Sequence, residues 1–308
     1  MRVLICSDGT DPADKPARLG GLFAGPCQAE TTLLGIAEQP QDEEPLRAAL
    51  NSEAALLGRF GVIPEIVVRG GEPIRQILEQ TSEAQYDVVI IGSRRKGTSG
   101  KHWRSEKTYE VIKAIPVPVL MATGSVDTLK SFVVCTGGKR YIEDAVQLTG
   151  QVAACCGASV TLLHVMAEPP AIYADLVRLE EDVDRLLSSG SELGRNLLAQ
   201  KQNLEKLGVT AEVQVRHGLV LDQVFAEVSE SGHDMIVTGS SQTRGPLQHF
   251  IMGDLTRGIV NRTNVPVLVA RAGAAAAAAK PASSGFWGSF KQIFATNSPR
   301  PEGKRPSP

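Results

Sequence analysis

The chain has 308 residues, a formal net charge of −2, and 42% hydrophobic against 21% charged residues, which suits two domains that each bury a core and excludes a global pull on nucleic acid or anionic lipid. Cys6, Cys27, Cys135, Cys155 and Cys156 show neither an even framework nor metal-type spacing, and nothing reads as a secretion signal. No apolar run approaches the roughly 20 residues of a membrane span, so a reduced, cytoplasmic protein without a metal or a nucleic-acid partner is expected.

Residues 3–6 read as a short buried strand ending in Ser7-Asp8-Gly9-Thr10. This puts a carboxylate at a strand's carboxyl end, where open parallel sheets bind ligands. Residues 17–24 read as a weak helix, because Gly20, Gly21 and Gly25 carry a backbone entropy cost that packing must offset. Residues 31–36, 63–69 and 87–91 follow as strands, with amphipathic helices over 45–60 and 74–80.

The second half repeats this order. Residues 132–135 match the first strand, with Thr136-Gly137 falling on Asp8-Gly9; 160–163 match the second and 211–218 the third. Residues 235–238 form a buried strand stopped by Gly239-Ser240. A long loop follows, then a helix starting near Gly253-Asp254, with Asp254 as its cap and Leu255, Ile259 and Val260 as its apolar stripe. Residues 265–270 close the unit, with Pro266 near the strand's start. Around 171–187, Leu176, Leu179, Val183 and Leu186 keep helical spacing, so an added helix is expected there. Strands alternating with helical patterns predict an α/β fold with a parallel sheet in each half. The expected units are 1–124 and 130–272, and 273–308 form a flexible tail. In that tail Phe286, Trp287, Phe290, Ile293 and Phe294 recur at helical spacing beside Lys291, which suits docking to a protein groove, a membrane surface or the protein's own surface.

Taken in order, VLICSDGT, TTLLGIAE, GGEPIRQIL and DVVIIGS in the first half, VTLLHVMAEPP, HGLVLDQVF and DMIVTGS in the second, and VPVL at the end of both resemble the universal stress protein family in its tandem form, over residues 1 to about 271. The resemblance implies two five-stranded parallel α/β sandwiches, Rossmann-like and similar to the adenine nucleotide alpha hydrolases, paired through their last strands. It also implies a cytoplasmic setting and a link to stress survival, and it leaves homodimer formation open. Members that bind ATP carry a strand-end aspartate for adenine and a loop of the type Gly, two residues, Gly, nine residues, Gly-Ser/Thr for the phosphates. Glycine lets backbone amides approach a phosphate, and a helix start adds positive partial charge.

Asp8, Gly9 and Thr10 fit the adenine position of the first domain, and Gly92 begins its loop. Arg95 then stands where the second glycine belongs, and Ser105-Glu106 where glycine and hydroxyl belong. The second domain keeps Gly239 and Gly253, but has Thr136 for the aspartate, Gln242 for the middle glycine and Asp254 for the hydroxyl residue. A carboxylate at Glu106 or Asp254 would repel a phosphate at the helix start. Arg94, Arg95, Lys96, Lys101, His102 and Arg104 make the first loop basic enough to hold phosphate by charge, with Trp103 beside them.

His164 and His217 lie in or beside predicted strands and read as structural, and the vicinal Cys155-Cys156 reads as small packing residues, with thiol redox sensing as the alternative. No nucleophile, base and orienting acid stand together in the sequence, so no enzyme is expected. The leading expectation is a non-catalytic stress-response binding or regulatory module with degenerate nucleotide sites. Two alternatives stand beside it: an ATP-binding protein with slow hydrolysis in the first domain, and a docking adaptor using the tail.

Overall fold

The structure, a computed structural model, describes residues 1–9, 15–92, 105–138, 143–167, 183–242, 250–251 and 253–271. The first half runs β1 (Arg2–Ser7), α1 (Lys15–Ala24), β2 (Glu30–Ala37), a short 3-10 turn, α2 (Glu43–Gly58), β3 (Glu65–Gly70), α3 (Pro73–Glu83), β4 (Val88–Gly92), α4 (Ser105–Ala114) and β5 (Val119–Ala122). The second runs β6 (Ser131–Cys135), α5 (Glu143–Cys156), β7 (Ser159–Met166), α6 (Val183–Ser188), α7 (Glu192–Lys206), β8 (Ala211–His217), α8 (Val220–Ser231), β9 (Met235–Gln242), β10 (Phe250–Ile251), α9 (Asp254–Arg262) and β11 (Val267–Arg271).

The strands form one sheet in the order β3-β2-β1-β4-β5-β11-β9-β6-β7-β8, with β10 on β9. The five main strands of each half run parallel, β10 alone pairing antiparallel among the described residues of the second half, and the halves join where β5 and β11 pair antiparallel. Because successive strand residues face opposite sides, two apolar layers result. Val3, Ile5, Val88, Ile90, Phe132 and Val134 point to the face covered by α1, α2, α5 and α7. Leu4, Val89, Ile91, Val133 and Ile236 point to the other, where Ile77 of α3, Ile112 of α4, Val224 of α8 and Ile259 of α9 meet them. Each layer runs unbroken through both halves.

Helix α1 forms despite its glycines for the expected reason. A Cβ on Gly20 would stand 2.4 Å from Ile5 Cδ1, so the glycine lets the helix lie directly on β1.

Some expectations need correction. The third strand starts at Glu65, and Ile63, ahead of Pro64, is 94% exposed. β9 does not stop at Gly239-Ser240 but continues to Gln242. β11 keeps pairing with it up to Arg271 opposite Ser240, and β10 folds back antiparallel onto Ser241 and Gln242. The expected long loop therefore contains a strand. At α9 the N-cap is Gly253 and Asp254 is the first helical residue, so Asp254 does not hold the cap position. Of the helix expected around 171–187, Val183–Ser188 is α6, and the rest lies outside the described residues, as does the tail.

The seam is polar as well as apolar. Arg271, 1% exposed, reaches from β11 to the end of α4, where its guanidinium donates to the carbonyls of Ile112, of Ile115 at 3.0 Å and of Val117 at 3.3 Å. Burial pushes its pKa down to about 10, which still leaves it charged at neutral pH. Arg257 of α9 lies 5.4 Å over the Tyr109 ring of α4, and Arg18 of α1 donates to Val126 O at 3.2 Å.

Candidate functional site

In a strand order of 3-2-1-4-5 the direction of winding reverses between β1 and β4, and their carboxyl ends form a crevice. Cys6 stands opposite Ile91, so Asp8 and Gly92 emerge side by side there, both half-buried. The same reversal in the second half falls between β6 and β9, where Gly239 sits on β9 and Gly253 is exposed ahead of α9. Thr10, Arg94, Arg95 and Lys96 lie outside the described residues.

Hydrogen bonding fixes the correspondence of the two strand-end turns and corrects the sequence reading by one residue. Ser7 Oγ donates to Glu53 Oε1 at 2.6 Å and accepts from Gly9 N at 3.1 Å. Thr136 Oγ1 donates to Gln200 Oε1 at 3.0 Å and accepts from Gly138 N at 3.1 Å. Gly9 and Gly138 share a left-handed φ of 66° and 69°. Thr136 is thus the counterpart of Ser7, and the residue matching Asp8 is Gly137, which has no side chain to address a base.

The surroundings of the turns differ. Opposite Ser7 on β2 stands Gly35, whereas one step beyond the Cys135–Leu163 pair Thr136 meets His164 of β7, whose Nδ1 donates to Thr136 O at 2.9 Å. The carbonyl can only accept, so the proton is on Nδ1. On the helix above, Ala49 packs where a Gly9 Cβ would be, and its counterpart Asn196 donates through Nδ2 to Gly138 O at 2.9 Å. In the second half the turn is therefore strapped by its own side chains. Gly35 and Ala49 put no polar group into the first turn. The sequence reading missed both straps; the visible signal is a polar residue in each second copy where the first has a small one.

One constellation read as absent from the sequence does come together in space. Ser131 Oγ lies 2.8 Å from His233 Nδ1, and His233 Nε2 lies 3.2 Å from Glu227 Oε1. It is a structural network: Ser131 begins β6, at the sheet edge opposite the crevice, and Glu227, 3% exposed, is also held by Arg216 and by Ser231 Oγ at 2.8 Å. Burial works against the Glu227 carboxylate, but hydrogen bonds from Ser231, His233 and Arg216 outweigh it and hold its pKa below the usual value. The matching place in the first half is neutral: Gln80 Nε2 donates to Tyr86 Oη at 2.8 Å, which donates to Thr32 Oγ1 at 3.2 Å. The aspartates that open the repeated DVVIIGS and DMIVTGS runs act alike, Asp87 accepting from Arg2 N at 2.7 Å and Asp234 from Ser131 N at 3.1 Å.

All five cysteines are free thiols, and burial pushes Cys6 and Cys135 up to about 12. Among the described residues no group of three or more His, Cys, Asp or Glu side chains could hold a metal, and no helix is long and apolar enough to cross a membrane.

Comparison with known proteins agrees with this architecture. The chain is 21% identical over 305 residues to universal stress protein Slr1230 of Synechocystis, covering 87% of this chain and 99% of that one. A solved universal stress protein from Archaeoglobus fulgidus superposes with a TM-score of 0.61 at 15% identity, covering 88% of this chain and 98% of the other. A putative universal stress protein from Pseudomonas aeruginosa gives 0.62 at 15% identity, covering 88% and 92%. With residues 1–123 and 128–271 each matching the universal stress protein family, the chain belongs to that family and carries its domain twice.

Proposed function

We propose that this universal stress protein is a non-catalytic binding or regulatory module of the stress response, built from units 1–124 and 130–272, in which the second unit has given up nucleotide binding and serves as a structural partner to the first. The observation that carries this reading is the pair of straps at the second turn. His164 and Asn196 occupy the carbonyls of Thr136 and Gly138, and Gly137 replaces the carboxylate that Asp8 supplies in the first unit. Buried polar groups already satisfied within the protein gain little by exchanging partners for a ligand. Any adenine nucleotide is thereby confined to the first unit, where Asp8, Gly9 and Gly92 border the crevice and positions 35 and 49 hold glycine and alanine in place of the two straps.

Calorimetric titration of ATP and magnesium into the full chain, with AMP as control, tests this. At most one nucleotide per chain, lost in Asp8→Ala, with no phosphate release above background, supports the reading. Two nucleotides per chain, binding untouched by Asp8→Ala, or phosphate release that Asp8→Ala removes would overturn it.

A further inference from the structure

Three of the five cysteines meet where the two halves touch. Cys27 follows α1 of the first half, whereas Cys155 and Cys156 end α5 of the second. The Cys156 sulfur sits 3.9 Å from the carbonyl oxygen of Leu22 in α1, and Cys27 lies near enough to interact with both Cys156 and Cys155. Lys130 of the second half donates from Nζ to Cys156 O at 2.5 Å, placing an ammonium beside the cluster. Cys156 is 6% exposed, Cys27 half-buried and Cys155 exposed.

We propose that Cys27 and Cys156 form an oxidisable dithiol that reacts with hydroperoxides and closes a disulfide between the two halves. The roles follow from the contacts. A hydrogen bond from Cys27 outweighs burial and the neighbouring Cys155 and, with the Lys130 charge, lowers the Cys156 pKa, while the same contact and burial raise that of Cys27. Because the Lys130 ammonium stands at Cys156, where positive charge favours a thiolate, Cys156 is the nucleophile and Cys27 the resolving thiol. The Cys156 thiolate attacks one peroxide oxygen, the O–O bond breaks, and hydroxide (or alkoxide) leaves, which gives a sulfenic acid. The Cys27 sulfur then displaces that hydroxyl. An S–S bond forms, the Cys27 proton leaves with the hydroxyl as water, two thiol sulfurs are oxidised and the peroxide is reduced. Of the two adjacent cysteines, Cys156 turns its sulfur across the interface towards Leu22 O while Cys155 is exposed, so Cys27–Cys156 is the cross-half pair selected.

The test treats the full chain with hydrogen peroxide, counts free thiols after denaturation and maps linked peptides by mass spectrometry without reduction. The expected result is a fall from five thiols to three, one peptide joining Cys27 to Cys156, the same loss in Cys155→Ser, and no intramolecular disulfide in Cys27→Ser or Cys156→Ser. The oxidised wild type should also melt several degrees higher than the reduced protein, since the bond closes a long loop across the seam. Five thiols retained, a Cys155–Cys156 bond, a disulfide-linked dimer lost in Cys155→Ser, or Cys156 oxidised to sulfinate without a bond would each overturn the proposal.

Discussion

Leu120 stands directly opposite Leu268 in the antiparallel ladder, and each occupies the same place in its own repeat, the last residue of its VPVL. A residue paired with its own counterpart marks an approximate two-fold axis through the seam. Both side chains are fully buried. Truncating either to Ala should cost roughly 2–5 kcal/mol, and the two losses should agree within about 1 kcal/mol, because each leaves the same cavity seen from the other side. Urea unfolding of the two variants measures this.

Arg271 breaks that symmetry, since its counterpart in the first half is Thr123. Arg271→Met keeps the apolar stem and relieves the burial of a charge, but strands the carbonyls of Ile112 and Ile115. The carbonyls should decide the sign. A net loss of about 1–3 kcal/mol is expected, with faster proteolysis between the halves as the accompanying readout.

Glu227 sets a pH dependence. Its pKa is lowered in the fold, so the stability it contributes is present above its usual value of 4.5 and disappears as pH falls through the lower folded value. Glu227→Gln should flatten the acid limb of the stability curve. Glu227→Ala, which leaves Arg216 and His233 facing an empty place, should cost about 3–5 kcal/mol at neutral pH. Combining Glu227→Gln with His233→Tyr rebuilds the neutral pairing of Gln80 and Tyr86 and should recover part of the loss. Thermal melts from about pH 3 to about pH 7 would show both effects.

The two turn glycines should differ in tolerance although their φ values match. An added Cβ at Gly9 would lie 2.7 Å from the Cβ of Ala49, which cannot rotate away. At Gly138 the clash is with Leu193 Cδ1, the end of a flexible side chain. Both substitutions carry the left-handed penalty of about 1–2 kcal/mol, but Gly9→Ala should be the more destabilising of the two, as measured by chemical denaturation.

Most of the architecture was legible because buried parallel strands announce themselves as short β-branched runs, as in residues 87–91 and 235–238. What was not legible depended on partners far away in the chain. β9 outruns its apolar stretch because Phe250 and Ile251 supply a ladder. Ser131, His233 and Glu227 meet although 102 residues separate the first two. The equivalence of Thr136 with Ser7 was hidden by the attraction of matching Thr136-Gly137 to Asp8-Gly9, and only the shared bond to the next helix, to Glu53 in one half and Gln200 in the other, resolves it. At the candidate site, the strand order brings Asp8, Gly9 and Gly92 to one crevice. The straps of His164 and Asn196 were missed because a histidine in a strand and an asparagine on a helix look ordinary until their acceptors are known.

Joining β5 to β11 within one polypeptide has a consequence for inheritance. In a dimer of identical subunits every substitution is copied across the axis, so a residue that closes one site closes both. Here the axis lies inside a single translated chain, and a histidine can arise at 164 while a glycine persists at 35. Covalent continuity frees each side to drift under its own selection, so the two strand-end turns can carry different side chains.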